Sequence, residues 1–228
     1  MPLILCIETS TQSCSVALEK DGEVLSIKES AEGLNHSVLT APFTDSLLRE
    51  NGIEAGELDA VAVSMGPGSY TGLRIGVSMA KGICYGVGIP LLAIPTLMAL
   101  AVQVSEKYCT HGDILVPMID ARRMEVYSAV FDAECNEIAP VEAIVIDEHF
   151  REEFLKASRV LFFGNGSAKA KNVLRSPNAV FIDGIEASAS SFASIAEKRF
   201  RSGKFENTAY FEPYYLKNFI ATRPKKVL

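Results

Sequence analysis

The chain lacks what several function classes require. Tryptophan is absent from its 228 residues, and the five cysteines (Cys6, Cys14, Cys84, Cys109 and Cys135) include no CxxC pair. An odd and scattered set argues against a disulfide framework and against a zinc site. None of His36, His111 and His149 has a second histidine at helical spacing, so the two-histidine metal pattern is missing. No apolar run approaches the roughly 18 residues that span a bilayer, and no membrane association is expected. The opening MPLILCIETS has no basic region ahead of its apolar stretch, so it reads as a buried strand and not as a signal peptide. Reduced thiols and a cytoplasmic location are therefore expected. Positive charge is also scarce. With a net charge of −6, the chain alone is a poor ligand for nucleic acid, because phosphate neutralisation supplies most of that affinity. Only the end is locally basic, with Lys217, Arg223, Lys225 and Lys226 and no acid after Glu212. It reads as a solvated tail or as a contact to RNA phosphates.

What is present is apolar and periodic. Hydrophobic residues make up 48% of the chain, enough for one large or two small cores. Leu3 to Ile7 suits a strand buried on both faces. Ser15 to Leu18 and Val24 to Ile27 flank the hairpin signal Asp21-Gly22, which completes a three-strand meander. Asn35 or Ser37 can cap a helix to about Asn51 whose Leu39, Phe43 and Leu47 share one face, with Pro42 expected to kink it. Leu58 to Ser64 reads as a strand, the next helix is expected from about Gly72 to Gly86, and Pro90 to Ile94 precedes a helix capped by Thr96. A second meander follows: Ile114 to Ile119, Met124 to Phe131, and a strand near Pro140 to Ile146. Gly164-Asn165-Gly166 then sits in a strand-to-helix turn. LILCIETS…SVALEKDGEV and ILVPMIDARRMEVYSAVFDAE match element by element, with Glu8 and Asp120 in equivalent places. This is an internal duplication. It predicts an α/β protein of two similar mixed-sheet halves, residues 1–108 and 109–228, whose last segment can pack back on the first half.

Three groups of residues carry chemical interest. The loop Gly66-Pro67-Gly68-Ser69-Tyr70-Thr71 opens a helix, so it reads either as a tight turn or as an anion or partner site at a helix N-terminus. It is not a P-loop, since no Gly-Lys-Ser/Thr follows. Gly72, Gly76, Ala80 and Cys84 recur every four residues and leave one helix face nearly bare. Each glycine inside a helix costs about 0.5–1 kcal/mol against alanine, so Gly76, Gly82 and Gly86 need a compensating contact, most simply a close helix of this chain or of a partner. Glu8 and Asp120 end their strands, where ligands collect in open sheets. The turns after them, Thr9-Ser10-Thr11 and Ala121-Arg122-Arg123, lack glycine and would crowd a phosphate chain. A degenerate cleft is favoured over an ATPase site, with a kinase-like or transferase enzyme using Glu8 and Asp120 as the alternative. No nucleophile with a histidine partner is visible, which leaves a peptidase unsupported.

The stretches ILCIETSTQSCSVAL, NHSVLTAP, AVAVSMGPGSYTGLRIGVSMAKGICYGVGIPLLAI and VPMIDARRMEVYSAVF make about the first 130 residues similar to the TsaB (YeaZ) family, which serves threonylcarbamoyl-adenosine synthesis in tRNA. GNG and EPYYLK extend the resemblance weakly, and Glu8 departs from the aspartate more usual at its place. The resemblance implies an actin-like, sugar-kinase-like fold and no catalytic or metal-binding residues of the chain's own. It implies a catalytic paralogue, TsaD, an ATPase, TsaE, and ATP and metal held on those subunits, with tRNA met only through the complex. It also implies pairing through N-terminal helices: His36, Leu39, Phe43 and Leu47 on one, Gly72, Arg74, Gly76, Val77, Met79 and Ala80 on the other. A homodimer of the isolated chain is a further expectation.

Overall fold

The computed structural model describes residues 1–31, 35–156 and 158–217; Arg223, Lys225 and Lys226 of the basic tail lie outside them. Two antiparallel meanders organise it. β1 (Leu3–Glu8), β2 (Cys14–Lys20) and β3 (Glu23–Ser30) pair in sequence. Asp21 and Gly22 both take positive φ, 53° and 79°, the turn geometry that matches strand twist and that Asp-Gly permits. Then come α1 (His36–Glu50), β4 (Ala60–Gly66), α2 (Tyr70–Val87), β5 (Leu91–Pro95) and α3 (Thr96–Tyr108). β4 runs parallel to β1 and β5 parallel to β4, so the sheet order is β3-β2-β1-β4-β5.

The second half repeats the plan with β6 (Ile114–Asp120), β7 (Glu125–Asp132), β8 (Glu137–Val145), α4 (Glu152–Leu155), β9 (Val160–Phe163), α5 (Ser167–Lys171), β10 (Ala179–Ile182) and α6 (Ala193–Arg201). Its sheet order, β8-β7-β6-β9-β10, is the same. This is the actin-like fold, two mixed sheets from one duplicated unit.

Several boundaries differ from the sequence reading for local reasons. α2 begins at Tyr70 and not near Gly72, because the Ser69 hydroxyl accepts from the Gly72 N–H (3.3 Å) and so caps the helix two residues earlier. Thr96 is the first helical residue, and Pro95 stands at the N-cap. β4 begins at Ala60, since Asp59 is drawn into accepting the Leu3 N–H (2.7 Å). Pro42 lies inside α1 on its exposed side.

The central strands are apolar throughout because both faces are covered. Leu5, Ile7, Val61 and Val63 pack with Leu47 of α1 and with Val77, Ala80 and Cys84 of α2. Ile4, Cys6, Ala62 and Ile94, on the opposite face, pack with Ala99 of α3 and with Phe192, Ile195 and Ala196. The last three belong to the 3₁₀ turn Ala189–Phe192 and to α6, so chain from the second half completes the first sheet's core. α3 lies between the sheets, its other side (Leu97, Leu100, Ala101, Val104) meeting Leu115, Phe131 and Phe163.

Candidate functional site

The two loops that follow β4 and β9 face each other's counterparts across a cleft. Gly66 and Gly164 end equivalent strands with φ of 110° and 90°, which only glycine adopts without strain. A Cβ at Gly66 would sit 2.7 Å from the Tyr214 carbonyl, and one at Gly164 2.5 Å from that of Met118. The GPG and GNG strings are thus one device used twice, an equivalence the sequence reading did not draw. The cleft has a volume of about 740 Å³ and is lined by Ser10, Gly68, Tyr70, Asp120, Arg122 and Tyr215, among others.

The matched acids Glu8 and Asp120 both accept a hydrogen bond from the N–H two residues on, Ser10 to Glu8 (2.5 Å) and Arg122 to Asp120 (2.6 Å). Beyond that they part. Glu8 is fully buried. Burial pushes its pKa above the ordinary carboxylate value, against the downward pull of the Ser10 N–H. It does not line the cleft, so its expected place there is corrected, and Thr9 likewise lies beneath the surface. Asp120 is half-exposed but held by Lys169 (2.7 Å), whose ammonium also donates to the Glu125 carbonyl (2.9 Å). Glu8 therefore presents no carboxylate to the cleft and Asp120 lines it as one half of an ion pair, and among the described residues no three His, Cys, Asp or Glu side chains gather as a metal needs.

The Thr9-Ser10 turn explains the bare face of α2. Thr9 Oγ1 donates to the Gly72 carbonyl (2.8 Å), and the Ser69 N–H donates to the Ser10 carbonyl (2.6 Å). A Cβ at Gly68, Gly72 or Gly76 would strike Ser10 or Thr9. The expectation that Gly72, Gly76, Val77 and Ala80 face a partner is corrected as to exposure: all four are buried within this chain, Ala80 at 0% accessibility. So are Leu47 and His36, the latter with Nε2 3.2 Å from the Ser13 carbonyl. Leu39, Phe43 and Met79 are half-buried, and Arg74 is exposed. The outward side of α2 is a different stripe, Arg74, Ser78, Gly82, Tyr85 and Gly86, and on α1 Val38 is exposed. Among the described residues nothing lies within 4 Å of where a Cβ would stand at Gly82 or Gly86, so none of them supplies these helical glycines with a compensating contact.

The sequence reading let the last segment pack back on the first half without giving its path, which residues 209–217 now trace. The Lys81 ammonium donates to the carbonyls of Ala209 (3.2 Å) and Phe211 (3.1 Å), the Tyr214 N–H donates to the Met65 carbonyl (2.7 Å), and Tyr215 packs on Tyr70 with ring centres 4.8 Å apart. Lys217 then pairs with Glu125 of β7. This strap runs along α2 and crosses the cleft. EPYYLK was the only signal for it, and no periodicity marks an irregular segment.

The family model described as "TsaD: tRNA N6-adenosine threonylcarbamoyltransferase" matches residues 29–221. The tRNA threonylcarbamoyladenosine biosynthesis protein TsaB of Escherichia coli K12 is 31% identical over 224 residues, covering 96% of each chain. Its Bacillus subtilis counterpart is 31% identical over 175 residues, covering 75% of this chain and 74% of that protein. Among solved structures, YeaZ from Pseudomonas aeruginosa superposes with a TM-score of 0.81 at 25% identity, over 95% of this chain and 100% of that one.

Proposed function

The chain belongs to the TsaB family of threonylcarbamoyladenosine biosynthesis proteins, also called YeaZ, and from that premise we propose that it is a non-catalytic partner subunit in tRNA modification. It pairs with a catalytic paralogue of the TsaD type and works beside a TsaE-type ATPase in the cytoplasm. ATP and metal belong to those partners, and tRNA meets this chain within the complex. The observation that carries this reading is the fate of the two matched acids. Glu8 is buried against its own turn and Asp120 is held by Lys169, so the positions that would hold a metal on a nucleotide are taken up internally.

The outward stripe of α1 and α2 supports pairing. Two exposed helical glycines, Gly82 and Gly86, cost roughly 1 kcal/mol each in the free chain, and a helix packed closely against them from outside would offset that. Val38 and Tyr85, 66% and 89% exposed, flank the stripe with apolar surface. In isolation the same face is free to take a second copy. Co-purification with the paralogue tests the surface. Ser78→Arg and Gly82→Arg should abolish pairing while unfolding at or above the wild-type temperature, because a side chain added at either position points away from the core. Folded variants that still pair would show that the interface lies elsewhere. ATP turnover by the pure chain, abolished by Asp120→Ala, would overturn the non-catalytic assignment.

A further inference from the structure

Several cations of this acidic chain are matched to acids, among them Lys28 with Glu50, Arg49 with Asp45, Arg159 with Asp113, Lys171 with Asp183 and Arg201 with Glu197. Around the cleft, which Arg122 lines, three arginines are not so matched. Arg122 and Arg123, in the β6–β7 turn, and Arg74, on the first turns of α2, are exposed and form no ion pair among the described residues. Arg74 lies instead on the ring of Tyr70, its guanidinium carbon 5.4 Å from the ring centre, and donates to that hydroxyl (2.9 Å). Arg122 and Arg123 both hold left-handed backbone, φ 72° and 51°, a conformation costing on the order of 1–3 kcal/mol for a residue other than glycine. The strap adds Tyr214 and Tyr215, 41% and 37% exposed, to a cleft lining that also includes Arg122 and Tyr70. Guanidinium groups without a carboxylate partner, near exposed rings, suit a flexible polyanion whose bases can stack.

We propose that the mouth of this cleft is a contact site for a single-stranded segment of RNA, with phosphates on Arg122, Arg123 and Arg74 and an unstacked base on Tyr214 or Tyr215. The choice of RNA rests on the proposed role in tRNA modification; the site itself rests on the side chains. The acids nearby fit this assignment. Asp120 and Glu125 are neutralised by Lys169 and Lys217, which leaves Glu186 as the cleft acid without an ion pair among the described residues. Glu186 opposes a phosphate, so it weakens the contact.

Fluorescence anisotropy with a labelled ten-nucleotide single-stranded RNA tests this on the full chain at low salt. Asparagine tolerates left-handed backbone, so the double variant Arg122→Asn, Arg123→Asn keeps the turn. It should bind about tenfold more weakly, and its salt slope should fall by about 0.7 per arginine removed. Tyr214→Ala should lose about fivefold on the single strand and little on a duplex of the same sequence, whereas Glu186→Gln should gain a few-fold. The proposal fails if the double variant binds with unchanged affinity and slope, if wild type prefers the duplex, or if a polyglutamate peptide displaces the RNA as effectively as unlabelled RNA does. Pairing with the paralogue, read separately by co-purification, tells a failure of this site from a failure of the family role.

Discussion

The two halves share strand order, a matched acid, and a glycine with positive φ after the second parallel strand, yet they differ in what covers their outer faces. The first carries α1 and α2, of 15 and 18 residues; the second carries α4 and α5, of 4 and 5. Duplication therefore preserved what closes each sheet on its own turn and did not preserve what projects beyond it. The long helices have a solvent side with features of their own, the open glycines of α2 among them. The short ones do little beyond covering Phe162, Val130 and their neighbours. The difference supports the proposed pairing surface on the helices of the first half.

The largest effect that would break this comparison concerns the two sides of α2. Ala80→Arg should prevent folding, since a guanidinium forced among Leu5, Val63 and Val77 is buried and unpaired, at a cost of 4 kcal/mol or more on the order seen for uncompensated buried charge. A folded Ala80→Arg protein in circular dichroism would place that face outside. Next, Gly66→Ala and Gly164→Ala should cost alike, about 2–3 kcal/mol each in urea unfolding. A large loss at one and none at the other would mean that the repeated turn is no longer one device.

A third test uses a position where the halves disagree. Glu8 pairs with Ser15 and Asp120 with Val126; four residues further along each partner strand stand Glu19 and Val130, both fully buried. Burial and the nearby Glu197 push the Glu19 pKa up to about 8. The folded chain therefore holds a proton between about pH 4.5 and 8 that the unfolded chain releases, so stability falls as pH rises through that window. Glu19→Gln should remove the fall and exceed wild type by roughly 4–5 kcal/mol at pH 8.5, with little difference near pH 4.5. Parallel stability profiles for the two proteins would assign the decline to other groups. The smallest effect is Gly82→Ala, which should stabilise the free chain by about 0.5–1 kcal/mol while weakening pairing; a loss of stability would mean that Gly82 is packed in the free protein.

Much of the fold was legible because it rests on local signals. Apolar runs, the Asp21-Gly22 turn and the repeat of Glu8 at Asp120 fix strand count and duplication. The site was legible only in part. A four-residue spacing identifies a helix face but not what lies on it, so Gly72, Gly76 and Ala80 read as surface although Thr9 and the first sheet cover them. The exposed stripe through Ser78 and Gly82 carries no apolar period and was passed over. The basic residues at Arg122 and Arg123 were read as crowding a phosphate; their position at the cleft mouth, beside the strap's tyrosines, depends on contacts between residues some 90 apart in sequence, as for Lys217 with Glu125.

The crossing of α6 onto the first sheet has a consequence for synthesis. A chain emerges from the ribosome N-terminus first, and domains generally fold as they are completed. Here the face formed by Ile4, Cys6, Ala62 and Ile94 waits for Phe192, Ile195 and Ala196, so through most of translation the older half carries an open apolar side. That side is available to a chaperone, or to a neighbouring nascent chain, for longer than any part of the second sheet. A late truncation thus damages the half that was made first.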